Sequence, residues 1–282
     1  MIEFEDIPLL RDPIMIAAFE GWNDAGETAS STLAHLISMW DAQPLCAMDP
    51  ELYYDFQVNR PQVSGTGADR MLTWPTTKVF LARDTPLERD VLLVQGIEPS
   101  MRWLGYTREL MGLAAEVDVA MIVTLGGLLA DVPHTRPIPV TVTSDDEQSQ
   151  LRYDVEASKY EGPSGIVGVL AEAARSAGVP QLSCWAAVPH YAGGSPSPKA
   201  TLALLARLEE LLDTLIGHAD LPDLARAWEH GVDELAASDD EVADYVHLLE
   251  EAQDTTELPE ASGDAIAREF QRYLRRRDDQ DE

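Results

Sequence analysis

Apolar runs of strand length alternate along this chain with amphipathic stretches of helix length. Residues 14–19 are apolar without a helical stripe, which predicts a short buried strand. Gly21 permits a backbone angle that other residues resist, Asn23 or Asp24 can cap a helix, and a helix is predicted to run to about Trp40. Residues 44–48 read as a second strand. Residues 49–77 are punctuated by Pro50, Pro61, Gly65, Gly67 and Pro75 and carry Tyr53, Tyr54, Phe56 and Trp74, the pattern of an irregular surface insertion that serves as a lid or a subunit contact. Strands are predicted at 78–83 and 91–95 around a Pro86 turn. A helix over 101–117 places Leu104, Leu110, Leu113 and Ala114 on one side. A central strand over 119–125 ends in Gly126-Gly127, and another covers 140–143. Ser164 caps a helix that ends at Gly178, a last strand spans 182–188, and a helix follows from about 197 to 216.

Strand, turn and helix recur at least four times. That order predicts an α/β fold: a three-layer sandwich with a mainly parallel sheet covered on both faces. From about Leu221 the strands stop. Leu224, Ala227, Trp228, Val232 and Leu235 form one helical stripe. Ser238-Asp239-Asp240-Glu241 reads as a capping box for a second helix with Val242, Tyr245, Val246 and Leu249 on its face. Ile266, Phe270, Tyr273 and Leu274 mark a third helix, a candidate seam with a neighbouring subunit. The expected division is an α/β core over 1–216 and an acidic helical C-terminal appendage over 217–282.

Charge sharpens this picture. The 282 residues carry 20 Lys+Arg against 50 Asp+Glu, a net charge of -30. Nucleic acid and anionic membranes are therefore not expected partners. Residues 209–282 hold 23 acidic and 6 basic side chains, so the tail is the more acidic part per residue. Cys46 and Cys184 lie in strand-like runs and are expected to be free buried thiols. The run 111–130 is interrupted by Glu116, Asp118 and two glycines, and residues 1–6 lack the basic-then-apolar pattern of a signal peptide. No membrane span and a cytoplasmic location are expected.

Polar groups collect where strands are predicted to end. The candidate pocket comprises Glu20, Gly21, Trp22, Asn23, Asp24, Gly26, Glu98, Gly126, Gly127, His134, Arg136, Gly162, Ser164, Gly165, His190 and Tyr191. In a parallel sheet such turns share one edge, so residues distant in sequence can converge there. Two Val-Pro-His runs, 132–134 and 188–190, set histidines after two different strands, where they could serve as acid and base. The competing reading is that each residue hydrogen-bonds its own turn. The chain has no Walker-type phosphate loop, no G-x-G-x-x-G after a strand, no G-x-S-x-G elbow and no histidine pair at metal-ligand spacing. Neither a metal nor a cofactor is expected.

Five motifs occur in order: Gly21-Trp22-Asn23-Asp24-Ala25-Gly26, Gly96-Ile97-Glu98-Pro99, Pro133-His134-Thr135-Arg136-Pro137, Gly162-Pro163-Ser164-Gly165-Ile166 and Pro189-His190-Tyr191. Together they resemble the proteasome assembly chaperone family, in its second-subunit (PAC-two) branch as found in actinobacteria, over about residues 10–215. The resemblance implies a core like that of purine nucleoside phosphorylases and a homo-oligomer, with a trimer favoured. It also implies a non-enzymatic role in assembly or interaction, with proteasome subunits as partners. Relatives dock through a terminal hydrophobic–Tyr–any-residue tail. This sequence ends in Arg275-Arg276-Arg277-Asp278-Asp279-Gln280-Asp281-Glu282, so docking by that route is not expected. The alternative is a binder or enzyme for a nucleoside, phosphate or carboxylate ligand at the sheet edge, such as the ATP-dependent carboxylate–amine ligase activity with which some relatives are labelled.

Overall fold

A computed structural model describes residues 7–83, 85–194 and 196–257, with only the backbone of residues 256 and 257. The predicted third C-terminal helix lies outside the described residues. Nine strands and eight α-helices follow in order among them. The first half contains β1 (Ile14–Glu20), α1 (Thr28–Met39), β2 (Gln43–Ala47), α2 (Pro50–Tyr53), β3 (Gln62–Ser64), β4 (Met71–Thr73), β5 (Lys78–Ala82), β6 (Val91–Ile97) and α3 (Trp103–Glu116). The second half contains β7 (Met121–Ala130), β8 (Val140–Thr143), α4 (Glu147–Tyr153), α5 (Ile166–Ser176), β9 (Gln181–Pro189), α6 (Pro198–Leu212), α7 (Leu221–Ala237) and α8 (Asp240–Glu257).

Seven strands form one sheet in the order β2-β5-β6-β1-β7-β9-β8. The inner four, β6, β1, β7 and β9, run parallel, while β5 and β8 are antiparallel to β6 and β9. The period-2 geometry of β1 shows why both faces must be covered. Ile14, Ile16 and Ala18 enter a core with Leu33 and Leu36 of α1 and Leu204, Leu205 and Leu208 of α6. Met15, Ala17 and Phe19 enter the opposite core with Leu110 and Leu113 of α3 and Val167 and Leu170 of α5. These are the three layers of the expected α/β sandwich.

Several local expectations are revised. The insertion between β2 and β5 contains α2 and the separate β3–β4 hairpin, and it is anchored: Tyr53 and Tyr54 are buried, and the Tyr54 hydroxyl donates to the Ile97 carbonyl at 2.9 Å. β7 does not stop at Gly126-Gly127 but stays paired to β9 as far as Ala130. Gly126 lies against the Trp185 ring, so the glycines make room for neighbours rather than end the strand. Leu104 is exposed because it sits about 200° round the helix from inward-facing Tyr106.

α7 turns Ala225, Val232 and Ala236 inward and leaves Leu224 and Leu235 exposed, so its buried stripe is offset from the predicted one. α8 turns Val246 fully inward, with Val242, Tyr245 and Leu249 half-buried, as its pattern predicts. Its start is capped by Asp239, which accepts the Glu241 N–H at 2.9 Å, not by Ser238. Both cysteines are free, Cys184 buried and Cys46 half-buried; burial pushes their thiols up to about 12 and about 11. Among the described residues no helix is long and apolar enough to cross a membrane.

Candidate functional site

The carboxyl ends of the parallel strands hold the sequence candidates in two groups, each tied by its own hydrogen bonds. The first is built on the turn after β1. Gly21 takes φ +114°, a value that favours glycine, and lets the chain fold back so that the Asp24 N–H reaches the Gly21 carbonyl at 3.1 Å. Asp24 is buried. Its Oδ1 accepts the N–H groups of Ala29 (2.7 Å) and Ser30 (3.1 Å), and its Oδ2 accepts the Ser30 hydroxyl at 2.5 Å. The side chain thus caps the first turn of α1, where free N–H groups and the helix dipole favour a carboxylate. Burial nevertheless raises the Asp24 carboxyl above its ordinary value, and burial followed by repulsion from Asp24 and Glu27 does the same for Glu20.

Asn23 and Glu98 join this turn to two other motifs. Asn23 is 1% exposed, and its Nδ2 donates to Glu98 Oε1 at 2.9 Å. The same Glu98 oxygen accepts the Ile166 N–H at 2.8 Å, so a carboxylate from the end of β6 caps α5. Ser164, the expected cap, is exposed and gives α5 no side-chain hydrogen bond. Gly165 is bare because Asn23 occupies its side-chain space: a Cβ there would lie 2.3 Å from Asn23 Oδ1. Gly127 plays the matching part on β7. Its N–H donates to the Asn23 carbonyl at 2.8 Å, and a Cβ would lie 2.7 Å from the Ala25 carbonyl oxygen. Gly26 links the turn to α6, its carbonyl accepting the Ser197 N–H at 2.8 Å. Three of the five motifs therefore interlock at one point. Trp22, at the tip of the turn, is 64% exposed.

The second group joins the loops after β7 and β9 to the C-terminal helices. His134 is 1% exposed. The Tyr191 hydroxyl accepts the His134 backbone N–H and bonds Nδ1, both at 2.8 Å, while Nε2 lies 2.9 Å from Asp233 Oδ1 on α7. The Asp233 carboxylate can only accept, which assigns the proton of the neutral ring to Nε2 and leaves Nδ1 to accept from the Tyr191 hydroxyl. Burial pushes the Tyr191 phenol up to about 12. Lys199 donates to the His134 carbonyl and to Glu229 (3.0 Å). Arg136 forms a two-point bridge to Asp254, 2.8 Å on each arm, and also reaches Glu250, which accepts from Thr135 as well. His190 lies 3.4 Å from Asp131, whose carboxylate accepts the Tyr245 hydroxyl at 2.9 Å. Arg136 lowers the Asp254 carboxyl, and the Thr135 hydroxyl, chiefly, lowers that of Glu250.

The structure thus brings together Glu20, Asn23, Asp24, Glu98, Gly127 and Gly165 on one side, and His134, Arg136, His190 and Tyr191 on the other. Gly126 lies beneath the sheet surface, while Gly162 and Ser164 are exposed on the lead-in to α5. Sequence reasoning missed Asp233, Glu229, Glu250 and Asp254, because acidic residues on an acidic helix give no local sign of their partners. Among the described residues no cluster of His, Cys, Asp and Glu could hold a metal ion. A cavity of 280 Å³ opens at the opposite edge, before β7 and β9, among Arg89, Met121, Asp146 and Tyr153.

A family model, described as the PAC2 family, matches residues 18–236, which include the interlocked motifs. The chain belongs to the PAC2 family. A PAC2 family protein from Streptomyces avermitilis MA is 54% identical, with a TM-score of 0.79 over 83% of this chain and 100% of that one. A proteasome-assembly chaperone homologue from Mycobacterium tuberculosis is 45% identical, with a TM-score of 0.76 over 83% of this chain and 99% of that one. An archaeal proteasome activator from Pyrococcus furiosus shares the PAC2 fold at 19% identity, TM-score 0.66, over 83% of this chain and 98% of that one. No curated protein matches significantly. The PAC2 match stops at the end of α7, so α8 and its clasp on Arg136 lie beyond it.

Proposed function

We propose that this PAC2 protein is a non-enzymatic, homo-oligomeric assembly or interaction factor of the proteasome-assembly-chaperone type, with proteasome subunits as partners. The observation that carries the reading is the relation to the Mycobacterium tuberculosis chaperone homologue, 45% identical over 83% of this chain. The site geometry agrees with it. Asp24 is spent on capping α1, Glu98 on capping α5, and His134 on tying a loop to α7. Polar groups that sequence alone offers as acids and bases act here as fasteners between loops.

The test is affinity capture of the tagged full-length chain from a host that contains a proteasome. Enrichment of α or β subunits at least about tenfold over a charge-matched control is expected, a difference equivalent to about 1.4 kcal/mol of binding. Absence of enrichment with the tagged protein folded and in its native assembly overturns the proposal.

A further inference from the structure

The carboxyl edge of the sheet carries two exposed apolar surfaces of opposite charge. The first is the insertion. Val58, Val63, Met71 and Leu72 are 50–74% exposed, and Val63 and Leu72 face each other across the β3–β4 hairpin. Residues 56–74 contain Arg60 and Arg70 against Asp69 alone, so they are net positive in a chain of net charge -30. The hairpin is held beyond the ends of β2, β5 and β6, where Asn59 donates to the Ser100 hydroxyl at 3.1 Å and the Phe56 ring packs tilted against Trp74, centroids 4.8 Å apart.

The second surface surrounds the turn after β1. Trp22, Leu128 and Tyr160 are 41–65% exposed. Exposed charged residues adjoining them in the sequence are Glu20, Glu27 and Glu161, together with Lys159, whose charge is paired to Glu156 at 2.6 Å. Leu128 follows Gly127, which is bonded to the turn, and Tyr160 leads into the Gly162–Gly165 segment packed on Asn23. Exposed apolar clusters of this kind mark association sites. A large aromatic at the centre of such a patch is the commonest energetic anchor.

We propose that the basic hairpin of one copy docks on the acidic Trp22 surface of a second copy. The proposal rests on the homo-oligomeric part of the functional reading and names the surface responsible. Charge complementarity selects the occupant. Two chains of net charge -30 repel over most of their surfaces, and the hairpin is a place where one copy can meet an acidic neighbour with attraction. Hairpin against hairpin sets like charges opposite each other. Hairpin against the Trp22 surface pairs Arg60 and Arg70 with glutamates while covering both apolar patches.

The experiment is sedimentation analysis of the full-length protein and two charge-reversal variants, Arg60→Glu/Arg70→Glu and Glu27→Lys/Glu161→Lys. The wild type is expected to be multimeric. Each variant is expected to dissociate with a dissociation constant at least about tenfold higher, and an equimolar mixture of the two is expected to reassociate, because the reversed charges again oppose one another. Thermal melts confirm that both variants are folded, and Leu72→Asp is the second probe of the hairpin. A mixture that stays dissociated, or variants as multimeric as the wild type, overturns the proposed surface while leaving self-association standing. A monomeric wild type overturns both, and capture of proteasome subunits by that monomer leaves the chaperone-type partner standing alone.

Discussion

At the scale of single residues, the candidate site is a study in carboxylates used as caps. Asp24 supplies three hydrogen-bond acceptor contacts to the start of α1, yet burial raises its carboxyl above the usual 3.8. The sign of the pH effect follows. A group with a raised folded value binds more protons in the folded state, so its contribution to stability is fully present below the unfolded value and is lost as pH rises through the folded one. Glu20, also raised, acts in the same direction. Asp24→Asn keeps an oxygen for Ala29 and Ser30 and removes the buried charge. Urea unfolding from pH 3.5 to 7 is expected to show a smaller fall in stability with rising pH for Asp24→Asn than for the wild type. A pH dependence identical in the two proteins counts against this account of Asp24. The role of Gly21 was legible in the sequence, since a tight turn after a strand needs a residue free to take positive φ. The role of Gly165 was not, because the atom that excludes a side chain there belongs to Asn23, far away in the chain.

At the scale of elements, strand ends and helix starts are connected by side chains rather than by their own local caps. α5 begins at Ile166 with a Pro-Ser-Gly run that predicts Ser164 as its cap, but the cap comes from Glu98 at the end of β6. Glu98→Ala removes the acceptor for both the Ile166 N–H and Asn23 Nδ2, and is expected to cost about 1–2 kcal/mol. Glu98→Gln retains an acceptor oxygen and is expected to cost less. Chemical unfolding gives the totals, and hydrogen exchange at Ile166 locates the loss; equal stability of the alanine variant and the wild type excludes the capping role. The hydrophobic period located β1, β6, β9 and α6 well, because their buried faces are set by continuous sheet and helix contacts. It failed at α7, where the alanines 225 and 236 face inward and the leucines 224 and 235 do not. Period alone does not say which flank of a broad apolar stripe meets the neighbouring helix.

At the scale of the whole molecule, α8 is attached largely by polar contacts. Among its described side chains only Val246 is buried, while Glu250 and Asp254 clasp Thr135 and Arg136 of the loop after β7. Exposed pairs of this kind contribute little individually and weaken with salt. Arg136→Gln is therefore expected to lower hydrogen-exchange protection across 242–255 at low salt with the melting temperature nearly unchanged. Raising the salt concentration is expected to shrink that difference. Undiminished protection of α8 in the variant excludes the clasp as its attachment.

The sequence by itself determined the class of the fold, the order of its main strands and helices apart from α4 and the elements of the 49–77 insertion, and the family, because those rest on hydrophobic period, turn chemistry and five short motifs that read without partners. Only the tertiary structure decided what the candidate residues do. Sixteen positions singled out for one edge divide into a locked turn around Asn23 and Glu98, a loop strapped by acidic helices around His134, Gly126 buried against Trp185, and an exposed remainder. The physical reason is that a period of two or 3.6 says which face of an element is buried, whereas capping, space for a side chain and ion pairing are settled by groups from other elements. Trp22 marks the boundary: its motif was plain in the chain, but its exposure beside acidic neighbours and opposite in charge to the hairpin became visible only in the fold.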